Sequence, residues 1–84
     1  MEKRLGTALI KVENRENVQQ LNEIISKHSQ IIMGRQGLPL SNGQSVISLV
    51  LEGTTDQIGS LTGQLGRIKG IQVKSVLLKN IQNE

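Results

Sequence analysis

The chain has no cysteine and no Phe, Tyr or Trp among its 84 residues. Without thiols, disulfides and thiolate metal sites are excluded. Without aromatics, a core must be assembled from Leu, Ile and Val, which bury less area per residue. There is one histidine, His28. One histidine with no cysteine cannot form a transition-metal site within a single chain. Only an oligomer that gathers several copies of His28 could assemble one. Apolar runs are short, so no segment reads as a membrane span. Met1-Glu2-Lys3-Arg4 leads straight into a strand-like run rather than a signal peptide, and a cytoplasmic location is the expectation. Basic residues outnumber acidic ones ten to seven, for a net charge of +3. They are scattered from Lys3 to Lys79, without the run of five or six that marks a nucleic-acid arm.

What is present is a repeat. At a step of forty residues, Leu9-Ile10 answers to Leu49-Val50. Val18, Leu21 and Ile25 recur as Ile58, Leu61 and Leu65, and Ile31, Met33 and Leu38 as Ile71, Val73 and Leu78. Hydrophobic pattern repeats, not residue identity. Each half reads strand, helix, strand, which predicts one β-α-β-β-α-β domain over residues 1–84. A chain of this size buries only about 60–65% of the surface it exposes when unfolded, and small domains often recover stability by associating.

Residues 4–13 predict the first strand. Asn14 or Asn17 is expected to cap the first helix, whose stripe is Val18, Leu21, Ile24 and Ile25. Lys27 and His28 close it as cations at the negative end of the helix dipole. The second strand is expected from Ile31 to about Leu38. Pro39 and Ser41-Asn42-Gly43 predict a hairpin connection. Strand three runs over 44–52, and Thr54 or Thr55 caps a second helix with Asp56 in its first turn. Gly59 and Gly63 inside that helix read as close packing of helix on sheet, or as a smooth surface against a second subunit. Gly66 ends the helix, Gly70 turns the chain, and 71–79 form the last strand. Residues 80–84 are polar and expected to fray.

A sheet covered on one face should alternate between apolar and polar residues. Here Leu5 and Leu9 oppose Ala8, Ile10 and Val12 on strand one. Val46 and Val50 oppose Ile47, Leu49 and Leu51 on strand three. Val76 and Leu78 oppose Ile71, Val73 and Leu77 on strand four. Two helices cover one face only, so the other carries a contiguous apolar patch of the kind that marks an interface. A homo-oligomer, dimer or tetramer, that buries sheet on sheet is the expectation.

Candidate chemistry is sparse. His28 has no evident nucleophile beside it and reads as a helix-end residue. Its alternatives are a proton shuttle or a single metal ligand. Glu13, Glu16, Glu23 and Glu52 form no paired-carboxylate motif. Gly34-Arg35-Gln36-Gly37 is not a phosphate loop, and Gly63-Gln64-Leu65-Gly66 is not a dinucleotide fingerprint. Arg35, flanked by glycines on a strand, is either an edge charge that discourages aggregation or a bidentate grip for a carboxylate.

The segments Ile-Ile-Met-Gly-Arg-Gln-Gly-Leu-Pro, Val-Ile-Ser-Leu-Val-Leu-Glu-Gly-Thr-Thr-Asp and Leu-Thr-Gly-Gln-Leu-Gly-Arg-Ile-Lys-Gly-Ile-Gln-Val-Lys-Ser resemble the iron-only hydrogenase system regulator family, over about Lys3 to Lys79. That family is ACT-like and similar to the C-terminal regulatory domain of the nickel-responsive repressor. The resemblance implies a ferredoxin-like fold, self-association and a regulatory or ligand-sensing role. The repressor's nickel site uses several histidines and a cysteine, which this chain lacks. Nor is there room for its ribbon-helix-helix segment. Amino-acid-binding ACT domains usually show an acidic-x-Pro-Gly turn after strand one, where this chain has Glu13-Asn14-Arg15-Glu16.

The expected architecture is therefore an α+β, ferredoxin-like (ACT-like) βαββαβ sandwich. Its four-stranded antiparallel sheet has order 4-1-3-2, with two helices on one face. The expected function is a small regulatory module that oligomerises and senses a small ligand or a protein partner, in transcriptional regulation of a hydrogenase system. The ligand site is placed at Asn14, Arg15 and Asn17 at the first helix start and Arg35 on strand two, often across a subunit boundary. No cofactor and no metal are called for. A nucleic-acid binder using Arg67, Lys74 and Lys79 is the alternative, against which stands the lack of stacking aromatics. An enzyme is a third reading, favoured only where His28 and Glu16 or Glu23 face one cleft.

Overall fold

The computed structural model describes residues 2–79. The fray expected over 80–84 lies outside the described residues. Two strand–helix–strand units follow one another: β1 (Arg4–Val12), α1 (Val18–Lys27) and β2 (Ile32–Pro39), then β3 (Ser45–Gly53), α2 (Thr55–Gly66) and β4 (Ile71–Leu77). All pairings are antiparallel, in the order β2-β3-β1-β4, which is 4-1-3-2 read from the opposite edge.

One layer of aliphatic side chains lies between sheet and helices. β1 contributes Ala8, Ile10 and Val12, and β3 contributes Ile47, Leu49 and Leu51. α1 adds Leu21, Ile24 and Ile25, and α2 adds Ile58, Leu61 and Leu65. Ile31 and Ile68 close the ends, and among the described residues no polar or charged side chain is buried. Each of these large side chains contributes roughly 1.5–3 kcal/mol on full burial. The central row runs through Ile10, which lies opposite Ile47 on one side and Val73 on the other.

The forty-residue step holds in the helices, where Leu21 and Leu61, and Ile25 and Leu65, are all buried. It fails in the first strand of each unit. Leu9 is 54% exposed where Leu49 is fully buried, and Ile10 is fully buried where Val50 is 44% exposed. Matched by burial, Ala8 and Ile10 answer to Leu49 and Leu51, a step one residue longer. A one-residue slip turns every strand side chain to the other face, so a constant step cannot describe both element types. The units also differ in their connections: residues 13–17 join β1 to α1, whereas Thr54 alone joins β3 to α2.

Three further details differ from expectation. Ile31 belongs to a 3₁₀ turn, Ser29–Ile31, rather than to β2. Asn17 occupies the N-cap position of α1, but neither it nor Asn14 caps the helix through its side chain. The Asn14 oxygen instead accepts from the Glu16 amide at 3.0 Å, and the Asn17 amide donates to the Lys69 carbonyl at 3.0 Å. The glycines of α2 do not pack on the sheet: a Cβ built at Gly59 or Gly63 meets nothing within 4 Å. They face outward, because Ile58, Leu61 and Leu65 already fill the inner stripe.

α2 begins as expected. Thr54 accepts from the Gln57 amide at 3.1 Å, and the Gln57 side chain accepts from the Thr54 amide at 2.9 Å, a complete capping box. The β2–β3 hairpin closes with the Leu40 amide donating to the Gln44 carbonyl at 2.8 Å. Gly43 takes the left-handed conformation that a three-residue loop of this kind needs, with φ of 83°.

Candidate functional site

The turn over residues 13–17 is held from below. The Glu13 amide donates to the Gly70 carbonyl at 2.9 Å, alongside the Asn17–Lys69 bond. Gly70 has φ of 83°, and a Cβ there would come within 2.8 Å of the Asn14 side chain. Together these contacts fix the turn, and with it Asn14 and Arg15, beside β2 and β3.

A β-bulge brings Arg35 to the same place. β2 and β3 shift register between Ile32 and Gly34, after which Arg35 lies opposite Leu49 and Gly34 opposite Val50. Leu49 faces the helices, so Arg35 does too. Unbroken alternation from Ile32 would have sent Arg35 to the open face. The extra residue is Met33, which is 62% exposed. Re-aiming a side chain is a recurrent use of such a bulge. From the helix side, Arg35 donates through Nη2 to Asn22 Oδ1 at 3.3 Å.

The result is a cavity of about 150 Å³. Its floor is apolar, formed by Val12, Val18, Leu21 and Ile47, and its polar rim carries Asn14, Arg15, Asn22 and Arg35. Ser45 and Gly43 complete the lining, and no carboxylate is among the described residues that form it. Two arginines and two asparagines beside an aliphatic floor suit a small anion with an apolar part. Of the residues read from the sequence, Asn14, Arg15 and Arg35 line this cavity and Asn17 does not. Sequence reading missed Asn22. Its one signal is a polar residue beside the buried Leu21, on the flank of α1 nearest β2.

A second cavity, of about 290 Å³, lies between the C-terminus of α1 and the first turns of α2. His28 donates through Nδ1 to the Ile24 carbonyl at 2.7 Å, because a carbonyl can only accept. Its Nε2 lies 3.2 Å from Ser60 Oγ and accepts from it in the neutral ring. Gln64 also donates to Ser60 Oγ, at 3.0 Å. The arrangement ties the two helices together. Asp56 and Lys27 line this cavity, whereas Glu16 and Glu23 do not. Among the described residues no three His, Cys, Asp or Glu side chains group as metal ligands. No helix among them is long and apolar enough to cross a membrane.

No curated protein matches the chain in sequence. Among solved structures it is similar to protein TM1266 of Thermotoga maritima, at 42% identity and a TM-score of 0.87, over 93% of this chain and 100% of that one. The C-terminal domain of MgtC from Mycobacterium tuberculosis shares the fold at 12% identity and a TM-score of 0.70, over 96% and 94% of the two chains. So does the ACT domain of GTP pyrophosphokinase from Chlorobium tepidum, at 21% identity and a TM-score of 0.68, over 100% and 96%. The profile that matches residues 4–75 carries the description "Iron-only hydrogenase system regulator, putative". With residues 4–75 of its 84 matched, the chain belongs to this TM1266-like family, with an ACT-like fold.

Proposed function

We propose that residues 1–84 form a self-associating regulatory module that senses a small carboxylate in the cavity rimmed by Asn14, Arg15, Asn22 and Arg35. The observation that carries this reading is that two arginines, Arg15 from the turn after β1 and Arg35 from β2, line one cavity with an apolar floor and no carboxylate in the lining. Each guanidinium can take a carboxylate through two parallel hydrogen bonds. Arg35 already holds one amide oxygen, that of Asn22, at the long end of the hydrogen-bond range. An incoming carboxylate would replace it with a stronger, charge-assisted acceptor. Asn17 acts from outside the cavity, through its bond to Lys69. The family description supports regulation connected with an iron-only hydrogenase. Transcriptional control of that system would then act through a protein partner.

The nucleic-acid reading is the weaker one. Lys74 lies opposite Leu9 on the open face of the sheet, whereas Arg67 caps the C-terminus of α2 in the helix layer. These cations do not build one phosphate-binding face.

The test is an amide-shift titration of the native chain with acetate, succinate and citrate, with inorganic phosphate as the comparison anion. Saturable shifts centred on Asn14, Arg15, Asn22 and Arg35 are expected for at least one carboxylate. Losing a charge-assisted bond costs about 1.5–3 kcal/mol, so Arg35→Ala should weaken that binding roughly 10- to 100-fold. Shifts spread over all surface cations alike, or unchanged in Arg35→Ala, would sink the proposal.

A further inference from the structure

The strand registers fix what the open face of the sheet presents. Reading across β3, β1 and β4, one row holds Val50, Thr7 and Val76, and the next holds Ser48, Leu9 and Lys74. Above them Glu52 lies opposite Leu5, whose carbonyl accepts from the Leu78 amide at 2.9 Å. Below them Val46 lies opposite Lys11, and Leu38 lies opposite Val46 on β2. Leu5, Leu9, Leu38, Val50, Val76 and Leu78 are each between 44% and 61% exposed. They belong to four different strands or their ends and share one side of the sheet, with Thr7, Ser48 and Gln36 set among them. Shallow apolar grooves of about 240 and 310 Å³ run through it, one beneath Leu5, Val50 and Val76 and one beside Leu9 and Val46.

We propose that this face closes against the same face of a second copy, about a two-fold axis lying across the strands. This deepens the self-association in the proposed function and does not depend on the carboxylate site. Three features argue for a second copy. First, four strands spaced about 4.8 Å apart and some eight residues long cover on the order of 500 Å² in projection. The relief of the side chains adds to that, toward the roughly 800 Å² per partner that a stable interface buries. Second, the face is mostly aliphatic and has no aromatic side chain, with its two amides, Gln36 and Gln72, confined to the edge strands β2 and β4, which suits the two inner faces of a sandwich. Third, its charges are segregated along the strands. Lys11 and Lys74 lie toward one end, and Glu52 lies at the other.

That segregation selects the axis. A two-fold axis along the strands would stack the lysine ends on each other and the Glu52 ends on each other. An axis across the strands inverts one copy, so that each Glu52 comes over the partner copy's Lys11 end. Like-charge juxtaposition is costly at an interface and opposite charges set register, so the inverted arrangement is favoured.

Light scattering coupled to size exclusion tests the face, and charge reversal tests the axis. The native chain should run at twice its 9.2 kDa mass at micromolar concentration. A four-chain particle built from such pairs would agree equally well. Val50→Arg, on a central strand and away from both sheet edges, should halve the mass while leaving the circular dichroism unchanged. Glu52→Lys and Lys11→Glu should each raise the dissociation constant severalfold, and the double variant should recover most of the loss. Glu52 is exposed and Lys11 half-buried on the open face, outside the apolar core, so both keep the test usable even where Val50→Arg fails to fold. A native monomer would overturn the proposal, as would an oligomer indifferent to all these changes, which would point to pairing through the edges of β2 or β4. A double variant no better than the single ones would overturn the axis. A failed carboxylate titration leaves the particle mass unaltered, so the two readings fail separately.

Discussion

Glycine has opposite effects at different places in this chain. Gly59 and Gly63 stand inside α2 with open space around the Cβ each lacks. A helix-interior glycine costs about 1 kcal/mol relative to alanine, and here no contact within the chain offsets it. Gly59→Ala and Gly63→Ala should therefore each stabilise the fold by about 1 kcal/mol, read as a rise in thermal midpoint of several degrees. Gly6 is the converse. A Cβ there would lie 2.6 Å from Leu77 Cδ2 and 2.8 Å from the Val76 carbonyl oxygen. The leucine tip can move aside, but the paired backbone of β4 cannot. Gly6→Ala should cost about 1–3 kcal/mol by overpacking, measured by urea unfolding. Nothing in the residue types separates these positions, since what surrounds each glycine comes from distant parts of the chain.

At the scale of elements, the two helices begin in different ways. Thr54 and Gln57 satisfy each other's backbone amides at the start of α2, a local device visible in Thr54-Thr55-Asp56-Gln57. Thr54→Ala should cost about 1 kcal/mol, with a fall in the urea midpoint at unchanged slope. α1 has no such cap, because the side chains of Asn14 and Asn17 are used elsewhere, in a turn and in a tie to the α2–β4 connection. The spacing of polar residues shows that a helix starts there, but not which acceptor each amide finds. The same holds for β2. Its residues read as a strand, yet the bulge at Met33 decides that Arg35 faces α1 rather than the open face. Three of the four site residues named from sequence line one cavity only because of that bulge and the clamped turn.

For the whole molecule, the governing fact is one covered face and one open face on an aliphatic sheet. The inner layer contains no buried polar side chain among the described residues, so its side chains have hydrophobic burial but little directional bonding to specify them. The outer face leaves comparable side chains in water. Association that buries them adds stability by mass action. The thermal midpoint of the native chain should thus rise with protein concentration, whereas that of Val50→Arg should not. A midpoint independent of concentration in the native chain would speak against a self-interface.

The strand order came with the family resemblance, whereas the sequence by itself determined the element order, the α+β class and the two-sided apolar character of the sheet. Each follows from hydrophobic periodicity and turn residues, which act over a few positions along the chain. The stripe Leu21, Ile24 and Ile25 and the triplet Ile47, Leu49 and Leu51 are core for that reason. Tertiary structure alone decided the register of the repeat in the strands, the direction of Arg35, the recruitment of Asn22 and the outward setting of Gly59 and Gly63. A single residue of slip or one bulge reverses a strand's faces without changing its composition. Such choices are settled by which face packs against the helices, a condition set by residues far apart in the chain.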